Sequence, residues 1–311
     1  MIFAPTASGK TALLFNLFGQ GSPYFFKGRA EVISADSMQV YRGQDIGTAK
    51  PSSSELAQLP HHLIDIMEPS GQFSVADFVA MADSCCADIY SRGKLPVIAG
   101  GTGFYIRSFL LGLPSTPESV PEVRDALKLE LEERGIRAMY EELFSIDKIS
   151  AAKINPNDAY RILRALEVYR ISGKPRSYFE LSMKLREGYD FFPVILERGR
   201  DDLYRRIDMR VDQMFDAGLE KEVAFLMDEK GCRSDFPGMQ AIGYREFFSF
   251  HSGSGKTVRD MIKHDSRKYA KKQYVFMEGI PGAVKYSIPE GDEMPEMLIS
   301  DISNFCSRVF S

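Results

Sequence analysis

Residues Ala4-Pro5-Thr6-Ala7-Ser8-Gly9-Lys10-Thr11 have the composition of a grip on phosphate. They keep the spacing of a phosphate-binding loop (Gly, four residues, then Gly-Lys-Ser/Thr), except that Ala4 stands in the first Gly position. Successive N–H groups at a helix start make an anion-binding concavity. Lys10 adds a point charge, and the Thr11 hydroxyl suits a Mg²⁺ ion carried by phosphates. The segment is therefore expected to hold a di- or triphosphate. Ala4 lacks the freedom of glycine and forbids a positive φ at that place unless the turn adjusts. Asp36 closes an apolar run and has two readings: a cap or magnesium ligand, or a general base beside a bound phosphate ester. The polar loop Asp45–Lys50 follows, and its Gly47 and Thr48 could add N–H donors. Adjacent side chains on an extended chain point to opposite faces, so His61 and His62 make a poor metal pair. A second Gly-Lys-Thr, ending at Thr257, has Phe250 in the first-Gly place and reads as a surface turn.

The elements that must position these groups alternate in the first hundred residues, the pattern of a parallel α/β sheet. Apolar runs at Glu31–Ala35, Leu63–Ile66 and Leu95–Ala99 predict strands. Gly100-Gly101-Thr102-Gly103 then opens a helix over Phe104–Leu111. In such sheets ligands bind at the carboxyl ends of strands, where the loop, Asp36 and the Gly100–Gly103 turn all fall. Three prolines between Gly112 and Pro121 mark a boundary, and helical character continues to Leu185. A strand over Phe191–Leu196, further helices to Met277, a short strand over Ala283–Ser287 and an amphipathic helix complete the chain. The expected architecture is α/β: a P-loop NTPase-like parallel core, flanked by helices, over 1–114 and 190–311, with a helical insertion over 115–189.

Composition places the chain among ordinary globular proteins, at 44% hydrophobic and 26% charged over 311 residues. No run approaches the ~18 apolar residues of a membrane span. The stub Met1–Phe3 is shorter than a usual buried strand of about 5–6 residues, as expected of a truncated first strand or a start assigned too late. A phosphate loop so close to the first residue leaves no room for a signal peptide. Four cysteines without metal spacing fit the cytosol. Net charge is −4, yet Lys153–Arg176 and Arg259–Lys272 each carry six basic residues against two acidic ones. These stretches suit either a nucleic-acid backbone or a solvated helix face. Within the first, Arg161 and Arg164 lie three apart on a helix whose buried face is Ile162, Ala165, Leu166 and Tyr169. As neighbours they would project together, matching successive phosphates, or form a charged surface pair.

Taken in order, Pro5–Thr11, Ser34-Ala-Asp-Ser-Met-Gln-Val-Tyr41, Asp45–Pro51, Pro60–Asp65, Gly100–Tyr105, Asn157-Asp158 with Arg161–Val168, Ile242-Gly-Tyr-Arg-Glu246 and Tyr269–Gln273 make a pattern. The chain resembles the tRNA dimethylallyltransferases over nearly its whole length, to about residue 277. The resemblance implies that dimethylallyl diphosphate, not ATP, occupies the loop. Its prenyl group would go to the N6 amine of the adenosine 3′ of the anticodon, in tRNAs reading codons that begin with U. By the same resemblance Ala4 to Thr11 hold the diphosphate, with Mg²⁺ at Thr11. Thr6, Lys10 and Arg210 serve catalysis, and Asp36 takes a proton from the amine. Ser37, Met38 and Gln39 line the flipped base. Thr102, Arg124, Tyr160, Arg161, Ile162, Leu163, Arg164, Gly243, Tyr244, Arg245, Lys271, Lys272 and Gln273 contact the tRNA anticodon stem-loop. A cytosolic monomer with no membrane partner is implied. Tyr160 departs from the family's usual Gln, and Tyr274-Val275-Phe276 from its Thr-Trp; the eukaryotic zinc finger is missing. An ATP-dependent small-molecule kinase would share the loop, and an adenylate isopentenyltransferase would share the donor. The helical insertion and basic helix favour tRNA over both.

Overall fold

The computed structural model describes residues 1–24, 26–180, 183–250, 257–290 and 293–309. The Gly-Lys pair of the second Gly-Lys-Thr lies outside them. The strands are β1 (Ile2–Phe3), β2 (Ala30–Ser34), β3 (His61–His62), β4 (Leu95–Gly100), β5 (Val194–Glu197) and β6 (Val284–Ser287). They form one sheet in the order β3-β2-β4-β1-β5-β6, and every pairing is parallel. Helices α1 (Lys10–Phe18), α2 (Ser53–Gln58), α3 (Val75–Ser91) and α4 (Gly103–Leu111) each follow one of the first four strands. A parallel sheet covered by crossover helices has strands buried on both faces. All five residues of β2 are accordingly buried, Glu31 among them.

The short β1 sits at the centre, with Ile2 level with Ala99 of β4 and Val194 of β5. Its two residues suffice because both flanking strands pair with it. The Ala4 N–H extends the ladder to the Gly100 carbonyl at 3.3 Å. One apolar core lies between the sheet and its helices, built by Leu17, Phe18, Val32, Leu59, Val97 and Leu196.

The strand expected at Leu63–Ile66 does not form. Leu63 and Asp65 are left-handed, at φ 63° and 55°. The N–H groups of Asp65 and Ile66 bond instead to Gln39 and Val40 carbonyls, at 3.1 and 2.9 Å. Alternating apolar residues here serve a turn that closes over the segment after β2, and the strand is displaced to the two histidines. The expected strand at Phe191–Leu196 begins only at Val194, after Pro193, which has no N–H to give a ladder.

The chain divides into two compact units, 1–110 with 185–311, and 111–184. The second contains α5 (Pro121–Ile146), α6 (Lys148–Lys153) and α7 (Ala159–Ser172). Gly135, at φ 76° and ψ 159°, kinks α5. Leu127, Met139, Leu143, Ile162, Leu163 and Leu166 form this unit's own core. The first unit resumes with α8 (Arg200–Asp216), α9 (Leu219–Asp228), α10 (Arg245–Ser249), α11 (Val258–Met277) and α12 (Glu296–Val309).

Candidate active site

A cleft of about 650 Å³ opens in the first unit at the carboxyl ends of β1, β2 and β4. The phosphate loop forms its floor. Ala4 is fully buried and is not among the left-handed residues. The left-handed positions are Ala7 at φ 60° and Gly9 at φ 95°, the latter capping α1. An Ala in the first-Gly position is compatible with this turn, because the backbone at Ala4, one residue past β1, does not take a positive φ. The turn strain falls instead on Ala7, a residue with a Cβ.

Three distant side chains hold this loop in place. The Gln273 amide accepts from the Thr6 N–H at 3.0 Å and donates to the Gly101 carbonyl at 2.8 Å. Arg206 donates to the Ala7 carbonyl at 3.0 Å, and buried Arg198 to the Ser8 carbonyl at 3.2 Å. Buried Ser8 bonds back to Pro5, which has no N–H of its own. Thus the N–H of Thr6 is already engaged, and donation to an anion shifts toward the start of α1. There Lys10, Thr11 and Ala12 line the cleft. First-turn N–H groups of a helix have no intrahelical partner.

Lys10 and Arg210 are half-buried in the cleft wall. Burial pushes the Lys10 ammonium down, Asp36 opposes this, and Arg210 adds to it. Burial likewise lowers Arg210, again opposed by Asp36. Asp36 is thus electrostatically joined to both cations. Its Oδ1 accepts the N–H groups of Met38 at 2.9 Å and Gln39 at 3.3 Å, a turn that fixes the carboxylate. Both of these bonds fall on Oδ1, and Oδ2 takes no part in this turn. Thr102 receives the Ser37 N–H at 3.0 Å and donates to the Ser37 hydroxyl at 3.3 Å. Tyr269 completes this corner against Thr102. Burial, then the Asp36 charge, pushes its phenol up to about 12, so it remains protonated at neutral pH.

The residues expected to contact tRNA divide into groups with different surroundings. Ser37, Met38, Gln39 and Arg245 line the cleft, whereas Lys271 and Lys272 are exposed on α11. Gln273 is buried and holds the loop, as described. Gly243 and Tyr244 are buried too. The Gly243 N–H donates to Glu246, and the Tyr244 hydroxyl donates to Glu222. The Tyr244 side chain is therefore engaged within the protein, which corrects the expectation that it contacts tRNA. Gly47 was expected to offer its N–H to phosphate, yet that group already bonds Glu222 and Tyr244.

In the second unit, Ile162 and Leu163 are core residues and cannot act as contacts through their side chains. Arg161 is 66% exposed, but Arg164 turns inward to buried Glu167 at 2.7 Å and to the Pro117 carbonyl at 2.8 Å. The two do not project together. Arg124 instead lies over the exposed Tyr160 ring, 5.1 Å from its centroid, joining two segments separated in sequence.

Both basic stretches are partly neutralised within the chain. Arg259 and Lys263 pair with Asp212, and Arg267 with Asp208, a ladder between α11 and α8. Lys268, Lys271 and Lys272 stand outside it. Arg170 bridges Glu130 and Glu142 across the second unit.

A central strand, a Gly-Lys-Thr turn and a helix start define a P-loop-type α/β protein, and a carboxylate beside its anion floor gives that floor a partner for acid–base chemistry. A family model described as IPP transferase matches residues 39–279. The tRNA dimethylallyltransferase of Geobacter sulfurreducens is 40% identical over 92% of this chain and 90% of its own. A second relative, tRNA dimethylallyltransferase 2 of Geotalea daltonii, is 44% identical over 88% and 82%. The tRNA isopentenylpyrophosphate transferase structure from Bacillus halodurans superposes with TM-score 0.67 at 35% identity, covering 99% of this chain and 95% of that one. A eukaryotic dimethylallyltransferase captured acting on tRNA gives TM-score 0.79 at 25% identity, over 99% and 79%. The chain belongs to the IPP transferase family, whose members here are tRNA dimethylallyltransferases.

Proposed function

We propose that this enzyme transfers a dimethylallyl group from dimethylallyl diphosphate to the N6 amine of an adenosine 3′ of the anticodon in tRNA. The observation that carries this reading is Asp36, fixed through Oδ1 and sharing one cleft with Lys10, Arg210 and the start of α1. The family and the names of its relatives support the same reaction.

The amine nitrogen forms a bond to the first prenyl carbon while the C–O bond to diphosphate breaks, and that electron pair leaves with diphosphate. Asp36 Oδ2 takes the proton, since a neutral aryl amine is a weak nucleophile. Lys10, Arg210 and the α1 N–H groups stabilise the leaving charge as it develops. The target base must leave its stack to enter a cleft, at a cost of a few kcal/mol, the typical flipping penalty. Exposed Arg161, Arg124 over Tyr160, and Lys271 with Lys272 are the groups assigned to the RNA backbone that offset it.

Mg²⁺ fits this donor set. Thr11 lines the cleft, and among the described residues no group of three acidic or imidazole side chains forms a protein cage. Thr11, diphosphate oxygens and water would hold the ion, which would neutralise charge on the leaving group. The proposal places the enzyme in the cytosol as a monomer. Among the described residues no helix is long and apolar enough to cross a membrane.

The test is incubation with labelled dimethylallyl diphosphate and unmodified tRNA, beside AMP and ATP controls. Label is expected on tRNA. Label on AMP would select a free-nucleotide acceptor and overturn the reading.

A further inference from the structure

The segment Asp45–Lys50 has no strand or helix to hold it, yet Gly47, Thr48 and Ala49 line the cleft beside Met38 and Gln39. Its shape is imposed from α9. The Glu222 carboxylate accepts the N–H groups of Asp45 at 3.0 Å and Ile46 at 2.8 Å through Oε2, and that of Gly47 at 3.3 Å through Oε1. The Tyr244 hydroxyl adds a fourth bond to the carboxylate, at Oε1 and 2.5 Å, and itself accepts the Gly47 N–H at 3.1 Å. Burial, then the Glu222 charge, pushes the Tyr244 phenol far up, so it remains a donor. Only glycine fits at residue 47, since a Cβ there would lie 2.5 Å from the Tyr244 ring. The far end is tied by Lys50, whose ammonium bonds the Tyr41 carbonyl, Asp45 and Asp65.

With the N–H groups of Asp45, Ile46 and Gly47 taken by Glu222, and those of Ala49 and Lys50 by the Ile46 and Asp45 carbonyls, the segment presents carbonyls to Gln39. Those of Thr48 and Ala49 each accept from the Gln39 amide nitrogen at 3.2 Å, while Ser34 donates to the Gln39 amide oxygen at 2.9 Å. Two acceptors on the nitrogen side and a donor on the oxygen side forbid an amide flip. Gln39 is therefore held in one orientation at the cleft wall. That wall is the acceptor side in the proposed reaction, whereas none of the hydrogen bonds from Asp45 to Lys50 reaches the phosphate loop.

We propose that Glu222 is a positioning residue for the acceptor base, locking Asp45–Lys50 so that Gln39 keeps one orientation in the cleft wall. This rests on the proposed prenyl transfer for its kinetic consequence, though the lock itself does not. The experiment compares the full-length Glu222→Ala, Glu222→Gln and Tyr244→Phe variants with wild type. Hydrogen exchange at the Asp45, Ile46 and Gly47 amides reads the lock without turnover. Kinetics with tRNA, and binding of dimethylallyl S-thiolodiphosphate, separate the two sides of the cleft.

Glu222→Ala is expected to lose that amide protection and raise the KM for tRNA about tenfold or more, with donor Kd within about twofold of wild type. Tyr244→Phe should show a smaller effect of the same kind, and Glu222→Gln, which keeps one acceptor oxygen but turns an NH2 toward the donors at the other, should recover only part of the loss. Retained protection in Glu222→Ala, an unchanged KM for tRNA, or an equal loss of donor binding would each overturn the inference. A wild type that protects these amides but prenylates no tRNA would overturn the proposed reaction instead, leaving the lock intact.

Discussion

Arg161 and Arg164 share a helix and a charge, and their environments separate them. Arg164 compensates Glu167, whose side chain is 1% exposed, so removing the guanidinium leaves a buried carboxylate with the Ser119 hydroxyl but without its paired cation. Breaking such a pair costs about 3 kcal/mol, the low end of the usual range because Arg164 is itself 24% exposed. Arg161 pairs with Asp158 at the surface, a contact worth little. Arg164→Ala is therefore expected to unfold the second unit at clearly lower denaturant concentration. Arg161→Ala should leave stability within about 0.5 kcal/mol and reduce the slope of log tRNA affinity against log salt by about one. Denaturant melts and binding titrations at several salt concentrations check both. An Arg164→Ala variant as stable as wild type, with a reduced salt slope, would reverse the assignment. Spacing along a helix identifies neighbours but not which neighbour has a buried carboxylate beneath it.

Among the elements, β2 shows how the sheet tolerates a charge. Glu31 is buried in a strand, and the Arg92 guanidinium, with Lys94 and His62, holds its carboxyl well below the ordinary range against the opposing effect of burial. These partners lie at the end of α3, at the entry to β4 and in β3, so one carboxylate joins three elements. In the second unit Arg170 similarly lowers Glu130. A carboxyl whose folded pKa is depressed stabilises the fold above its unfolded value of about 4.3 and loses that contribution as pH falls. Melting temperature should therefore be level from neutral pH to about 5 and fall below about 4. Glu31→Gln should cost about 1–3 kcal/mol at pH 7 and flatten part of the acid slope. Thermal melts across this range test it; a wild type unaffected at pH 3 would contradict it. None of this was legible in the run Glu31–Ala35, which reads as a strand because of β-branched Val32 and Ile33. The displaced strand at His61–His62 has the same origin. Periodicity reports which side chains are apolar, whereas the turn at Leu63–Asp65 is set by carbonyls of Gln39 and Val40 twenty-odd residues earlier.

For the whole molecule, the legible part of the site was its local part. Gly9, Lys10 and Thr11 announce an anion floor through spacing alone, and Asp36 announces itself by ending a strand. What secures them comes from far along the chain: Gln273, 267 residues from the Thr6 N–H it accepts, and Arg198 and Arg206 on the loop carbonyls. No spacing rule joins such positions; only the parallel sheet and the packing of α11 against α8 do. The division into an anion floor and a carboxylate wall gives Asp36 a role separable from binding. Asp36→Asn keeps the Oδ1 acceptor for the Met38 and Gln39 N–H groups while removing the base. Single-turnover transfer of the labelled dimethylallyl group to tRNA by this variant, with the Kd for donor and for tRNA measured alongside, is the direct test. Transfer is expected to slow by about 10²–10⁴, with both affinities within about twofold of wild type. A rate close to wild type would contradict Asp36 as the proton acceptor.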